Sequence, residues 1–291
     1  MFNFGKTRRG GRGQDLTLVL GANGKTGRRI VERLRARGVS VREGSRSAHP
    51  AFDWRDATTW DAALEGVTAV YISYAPDLAI PGAVAAVAAF VEQAKAQGVR
   101  RLVLLSGRGE EEAQASERIV QKSGLEWTVV RSSWFNQNFS EGAFAPMIAE
   151  GVLALPAGDI GEPFVDADDI ADVAVAALTE DGHAGQIYEL TGPRLITFAQ
   201  AVAEIAAASG RPIQYVQIPH EDFLAGVAEQ DYPADIAWLL DYLFATVLDG
   251  RNAHLCDGVE RALGRAPRDF SSFAQDLAAK LNAAEPSRTA A

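Results

Sequence analysis

The chain has 291 residues, 47% of them hydrophobic and 23% charged, with a net charge of −10. That is an ordinary composition for a folded domain, long enough for one large core or two modest ones, and its acidity argues against a nucleic-acid partner. A single cysteine, Cys256, excludes an internal disulfide and any cysteine-based zinc site, and no run of about 18 apolar residues offers a transmembrane helix.

Residues 1–14, "MFNFGKTRRGGRGQ", carry Lys6, Arg8, Arg9 and Arg12 and no acid. Without an apolar segment behind the charges they do not read as a secretory signal but as a disordered basic tail, and the chain is expected to be cytoplasmic. "DLTLVL" (Asp15 to Leu20) is an apolar run that stops at Gly21 and predicts a strand. "GKTGRRIVERLRARG" predicts a helix, with Ile30, Val31 and Leu34 on one face and Gly38 at its end. "VSVREGS" is a second strand and Val67 to Ala75 a third. A helix opens at Pro81, "RRLVLLS" ends a strand at Ser106, a helix spans Glu110 to Ser123, and "EWTVVR" is again a strand. Apolar strands alternating with helices predict a parallel sheet covered on both faces.

Beyond Arg131 the pattern changes. "SSWFNQNFSEGAF" is a polar-aromatic loop, a helix starts near Asp168, "GQIYELTG" and "PIQYVQI" are strands flanking a helix, and the chain is helical from Pro219 onward. The fold class is therefore α/β, a Rossmann-type doubly wound parallel sheet with a smaller, mostly helical C-terminal lobe. Residues 15–150 form the dinucleotide-binding part, and 151–291 a mixed segment that adds late strands to the sheet and builds a substrate-binding lobe.

The segment "LVLGANGKTG" raises a choice of ligand. "GKT" (Gly24-Lys25-Thr26) ends a nucleoside-triphosphate loop, but that loop needs a glycine at position 19, which is Val19. Gly21, Gly24 and Gly27, spaced by three between a strand and a helix, suit a dinucleotide instead. The first permits the tight turn, the second lets the backbone approach the pyrophosphate, and the third lets the helix pack closely. Asn23, Lys25 and Thr26 belong to the same loop, at a helix N-terminus that favours anions. The second strand ends "VREGSRS": Ser45 stands where an NAD-binding acid is expected and Arg46 follows. A guanidinium matches a 2′-phosphate, so NADP(H) is favoured over NAD(H). Glu43 is the rival, and a solvated surface charge the plainer account of Arg46.

Together, "LGANGKTG", "FDWRDATTW", "SGLEWTVVRSSWFNQNFSE" and "PFVDADDIADVA" resemble the NmrA-like atypical short-chain dehydrogenases, from about Leu16 to Phe273. Within that family the sequence resembles the festuclavine and agroclavine dehydrogenases and bacterial relatives of unassigned substrate, and less closely the quinone oxidoreductases. The resemblance implies that Asp53 and Trp54 lie near the adenine and that Ser73, Tyr74, Ala75, Pro76 and Ser106 line the ribose–nicotinamide side. It also implies that Trp134, Phe135 and Asn138 face the substrate. Packing between lobes is the alternative for Trp134, Phe135 and Phe139.

The chain departs from the wider superfamily in lacking Tyr-x-x-x-Lys: four residues after its six tyrosines stand Ala75, Leu78, Gly192, Pro219, Ile236 and Thr246. Arg118 is a candidate for the lysine's place, though it cannot titrate usefully and reads equally as a surface helix charge. Tyr74 is the phenol nearest the expected nicotinamide. These features predict an NADPH-dependent oxidoreductase that gives hydride to an activated acceptor, such as an iminium, a quinone or a conjugated carbonyl, of hydrophobic or aromatic character. The alternative is a non-catalytic NAD(P)(H)-sensing regulator. No metal is expected, since His49, His183, His220 and His254 have no ligand-like spacing, and Asp166, Asp168 and Asp169 suit helix capping better than a carboxylate site. Membrane attachment is not expected, and the chain is expected to be a monomer or homodimer.

Overall fold

The computed structural model describes residues 15–283, and the expected basic tail lies outside the described residues. Strands and helices alternate first as β1 (Leu16–Leu20), α1 (Gly27–Ala36), β2 (Ser40–Gly44), α2 (Trp60–Leu64), β3 (Val67–Ile72), α3 (Ala83–Ala96), β4 (Arg101–Gly107), α4 (Glu111–Gln121) and β5 (Glu126–Ser132). There follow α5 (Asn138–Glu141), α6 (Ala145–Glu150), β6 (Val152–Leu155), α7 (Ala167–Thr179), β7 (Gln186–Leu190), α8 (Phe198–Ser209) and β8 (Gln214–Gln217). The chain ends with α9 (His220–Glu229), α10 (Ala234–Tyr242), a π-helical turn at Leu243–Val247, α11 (Gly258–Leu263) and α12 (Phe270–Ala283). No helix among the described residues is long and apolar enough to cross a membrane.

Six strands form one parallel sheet in the order β2-β1-β3-β4-β5-β7, a Rossmann-like arrangement. Alternation along the strands feeds two cores. Leu18, Leu20, Val70, Ile72, Leu102 and Leu104 pack under α2, α3 and α4, while Val19, Tyr71, Val103 and Val130 pack under α1, α7 and α11. Of the late strands, β7 joins the main sheet, whereas β8 pairs with β6, a strand missed in the sequence, in a separate two-stranded sheet. That small sheet borders a third core rich in phenylalanine: Phe139, Phe144, Phe164, Phe198, Phe244 and Phe270.

Several helix starts have a visible cause. Asp166 caps α7 by accepting the Asp168 amide at 2.8 Å, and Thr197 with Gln200 forms a capping box on α8. Asp168 and Asp169 are not caps. They bind Arg33 and Arg268 and fasten α7 to α1 and to the segment before α12. The third strand, expected to run to Ala75, stops at Ile72: the Ser73 carbonyl leaves the ladder to accept the Trp54 indole N–H at 3.0 Å. Because β2 and β3 lie on opposite sides of β1, the loops after β1 and β3 part, and a crevice opens at their carboxyl ends.

Candidate functional site

The loop after β1 folds on its own backbone. Gly21 adopts φ +66° and its amide reaches the Gly44 carbonyl at 2.9 Å, while the Gly24 amide reaches the Gly21 carbonyl at 2.8 Å. A Cβ on Gly27 would sit 2.1 Å from the Gly21 oxygen, so this glycine is what lets α1 start so close to β1. A Cβ on Gly24 would meet only that oxygen, at 3.1 Å, and Gly24 otherwise opens outward. The first turn of α1 holds no acid, and Thr26 makes no side-chain cap. Its hydroxyl instead accepts a 2.9 Å bond from Tyr71, a fully buried phenol whose pKa burial raises.

These groups border a cleft of about 400 Å³. Its floor is made of Gly21, Gly24, Lys25 and Thr26, and the loop after β3 supplies Ser73, Tyr74, Ala75 and Pro76. Ser106 closes the end of β4, and Trp134, Phe135 and Asn138 stand opposite, with Leu243 and Val247 of the π turn over them. Burial lowers the pKa of Lys25, and nearby Glu141 partly opposes this. Glu141, at the end of α5, is itself held by Arg28 and by a two-pronged bond from Arg29 at 2.9 and 3.1 Å. Trp134 meets Phe198 edge-on at 5.5 Å and lies parallel to Phe144 at 6.4 Å, so it is half core and half cleft wall. Phe139 is wholly core.

Other expected residues lie outside this cleft. Asn23 reaches Ser47 at 3.3 Å, and Ser45 and Ser47 share a hydroxyl contact at the end of β2, where Arg46 is exposed. Asp53 accepts the Arg55 amide and Trp54 packs among Phe52, Trp60, Tyr74 and Phe90, so both brace the loop from behind. Arg118 is exposed on α4 and does not line the cleft. The helical period turns Ser116 and Glu117 inward instead. Glu117 is committed to Arg131 and to the Ser106 hydroxyl, the latter at 2.6 Å.

Three cleft residues were not singled out in the sequence. Arg108, its side chain 1% exposed, donates to Glu189 at 2.8 Å and Ser133 at 2.8 Å, and contacts His254 at 2.9 Å. Among the described residues, Glu189, His254 and Cys256 come close enough to hold a metal, but the Arg108 guanidinium already contacts all three. The other two are Asp77 and Glu110, just past β3 and β4. Burial raises both carboxyls, Glu110 far above its ordinary value, and the Asp77 charge beside it adds to that. Their only sequence signal is their position after the ends of neighbouring strands.

The profile of the NAD(P)H-binding family matches residues 21–181. The chain is 34% identical over 261 residues to the NAD(P)H azoreductase of Xenophilus azovorans, a match covering 86% of this chain and 87% of the relative. The chain belongs to the NAD(P)H-binding family. With the agroclavine dehydrogenase of Claviceps fusiformis this family member shares 31% identity over 282 residues, covering 89% of this chain and 96% of the other. In fold it is similar to the NADPH-dependent quinone oxidoreductase of Escherichia coli complexed with NADPH, with a TM-score of 0.72 at 23% identity, covering 90% of this chain and 99% of that one. It belongs with the NAD(P)H-dependent oxidoreductases, and the glycine turn, the open Gly24 and the uncapped α1 fit the dinucleotide that the family binds.

Proposed function

We propose that the protein prefers NADPH and delivers its hydride to an activated, hydrophobic or aromatic acceptor without a Tyr-Lys pair. The observation that carries this reading is the cleft itself, where the glycine loop and the Trp134–Asn138 wall face one volume. Gly21, Gly24 and the first turn of α1 would hold the pyrophosphate, with Lys25 as a nearby cation. Arg46, exposed at the end of β2, would meet the 2′-phosphate, and Ser45 would bond it. Glu43, the rival, is engaged by Arg35 at 2.6 Å. NADPH, when bound, supplies the hydride; the chain's part is to orient the acceptor and exclude water.

Tyr74 is the one tyrosine lining the cleft among the described residues. Burial raises its pKa, and Leu78 stands where a lysine would lower it. A phenol so held is a poor acid, which favours acceptors that are already electron-poor. Azo compounds and quinones, for which two of the similar proteins are named, share that property, as does an iminium cation. The test is an NADPH-oxidation screen over azo compounds, quinones, cyclic iminium salts and enones, with cofactor affinity measured alongside. Turnover of at least one class is expected. Tight NADPH binding with none reduced would favour a dinucleotide sensor.

A further inference from the structure

Asp77 and Glu110 stand side by side on the cleft, on loops leaving the adjacent strands β3 and β4. The Glu110 carboxyl lies against the end of β4, where a Cβ on Gly107 would fall 2.3–2.4 Å from its atoms. Its Oε2 is buried and meets no donor among the described residues, and the charge of the neighbouring Asp77 carboxyl disfavours its ionisation. Asp77 takes one amide, that of Ala79, at 2.9 Å. Two neighbouring carboxyls on one cleft, one of them buried without a donor, favour holding a proton of their own. The surrounding charges point the same way. Glu112 and Glu117 on α4 are negative, Tyr242 on α10 donates to Glu112, and the arginines around them are spent elsewhere: Arg131 on Glu117 and Glu189, Arg108 on Glu189 and Ser133, and Arg251 on Asp249 and the Gly109 carbonyl. Lys25 and Arg108 are the cations of the same cleft.

We propose that this carboxyl pair is the proton source of the reaction, with Glu110 as the donor and Asp77 as the group that keeps it protonated. The inference rests on the reductase reading above and replaces the missing Tyr-Lys pair with a different acid. Hydride brings two electrons to one atom of the acceptor's double bond, and the π pair moves to the other atom. That atom bonds the Glu110 proton as the O–H bond breaks. The pair is left with two negative charges, and one carboxyl regains a proton from solvent after product leaves. A quinone or azo group requires this proton. An iminium cation does not, because hydride alone converts it to a neutral amine.

The requirement provides the test. Turnover at saturating NADPH and acceptor is compared for an azo compound or quinone and for a cyclic iminium, from pH 5 to pH 9, in the wild type, Glu110→Gln and Asp77→Asn. Glu110→Gln should lower the azo-to-iminium ratio by roughly 10²–10⁴-fold and erase the alkaline limb of the azo profile. Asp77→Asn should move that limb to lower pH. An unchanged ratio, or equal loss on both acceptors with the limb retained, would overturn the proposal. Independently of turnover, infrared difference spectra in H2O and D2O should show a protonated carboxyl that disappears in Glu110→Gln; its absence from the wild type would also overturn it. A wild type that shows the band but reduces nothing would sink the reductase reading, and the donor role with it, leaving the shared proton standing.

Discussion

Around the glycine loop, the helix charges have partners: Arg28 and Arg29 hold Glu141, and Arg33 holds Asp168 and Asp172. On the far side of the same cleft Glu110, and near Arg108 Glu162, are buried with carboxyl oxygens that meet no hydrogen-bond partner among the described residues. The first region is assembled from backbone and paired ions, which fix a shape and do little else. The second keeps costly, unpaired acids where side chains from distant segments converge, and such groups change protonation readily. One region is built to bind, the other to respond to charge.

Two glycine substitutions sharpen that contrast most. Gly27→Ala should destabilise the fold by about 1–3 kcal/mol or more, since its Cβ meets backbone that cannot yield, whereas Gly24→Val should leave a cooperative thermal transition and abolish NADPH binding. Calorimetry and cofactor titration of both would separate the roles, and normal binding by Gly24→Val would break the assignment of that region. Trp134→Ala should cost up to about 10²-fold in turnover through a misplaced acceptor, with NADPH affinity near normal. Arg46→Ala should erode the preference for NADPH over NADH by about 1.5–3 kcal/mol, read as the change in the ratio of dissociation constants.

Glu162 tests the other region through pH. Burial raises its carboxyl to about 7, with Arg108 opposing and Asp249 assisting. The folded state therefore holds a proton that the unfolded chain releases near 4.5, and stability falls as pH rises from about 4.5 to about 7. The loss is on the order of 3 kcal/mol. Glu162→Gln should flatten that part of the curve in urea unfolding at pH 5 and pH 8; an unaltered slope would show that the group ionises freely. The smallest effect is expected from Tyr74→Phe, whose turnover should change by much less than the roughly 10²-fold of a lost general acid.

What the sequence disclosed follows the same division. Gly21, Gly24 and Gly27 announce themselves because a backbone site depends on local spacing, and the alternation of β1 to β5 with their helices is equally local. Trp134, Phe135 and Asn138, picked out in the polar-aromatic loop, line the cleft. Asp77, Arg108 and Glu110 were not picked out, because nothing beside them in the chain marks them: their meaning comes from β3 and β4 lying side by side and from Asn252 and the π turn folding back over the cleft. Strand β6 was missed since its four residues make a sheet only by pairing with β8, about sixty positions away. Arg118 was considered on spacing alone, and the pitch of α4 turns it outward.

The most direct test of the central claim uses NADPH carrying deuterium at the transferable C4 position, mixed with the protein and an acceptor that the screen shows to be reduced. On the carbon of an iminium or enone, deuterium should appear in stoichiometric amount; on an azo compound or quinone, whose N–D or O–D exchanges with water, the reading is a primary isotope effect on the single-turnover rate, and with every acceptor the reaction should be faster than with labelled NADH. Tight NADPH binding with no acceptor reduced and no isotope effect on cofactor oxidation would contradict the account and leave the cleft as a sensor's pocket.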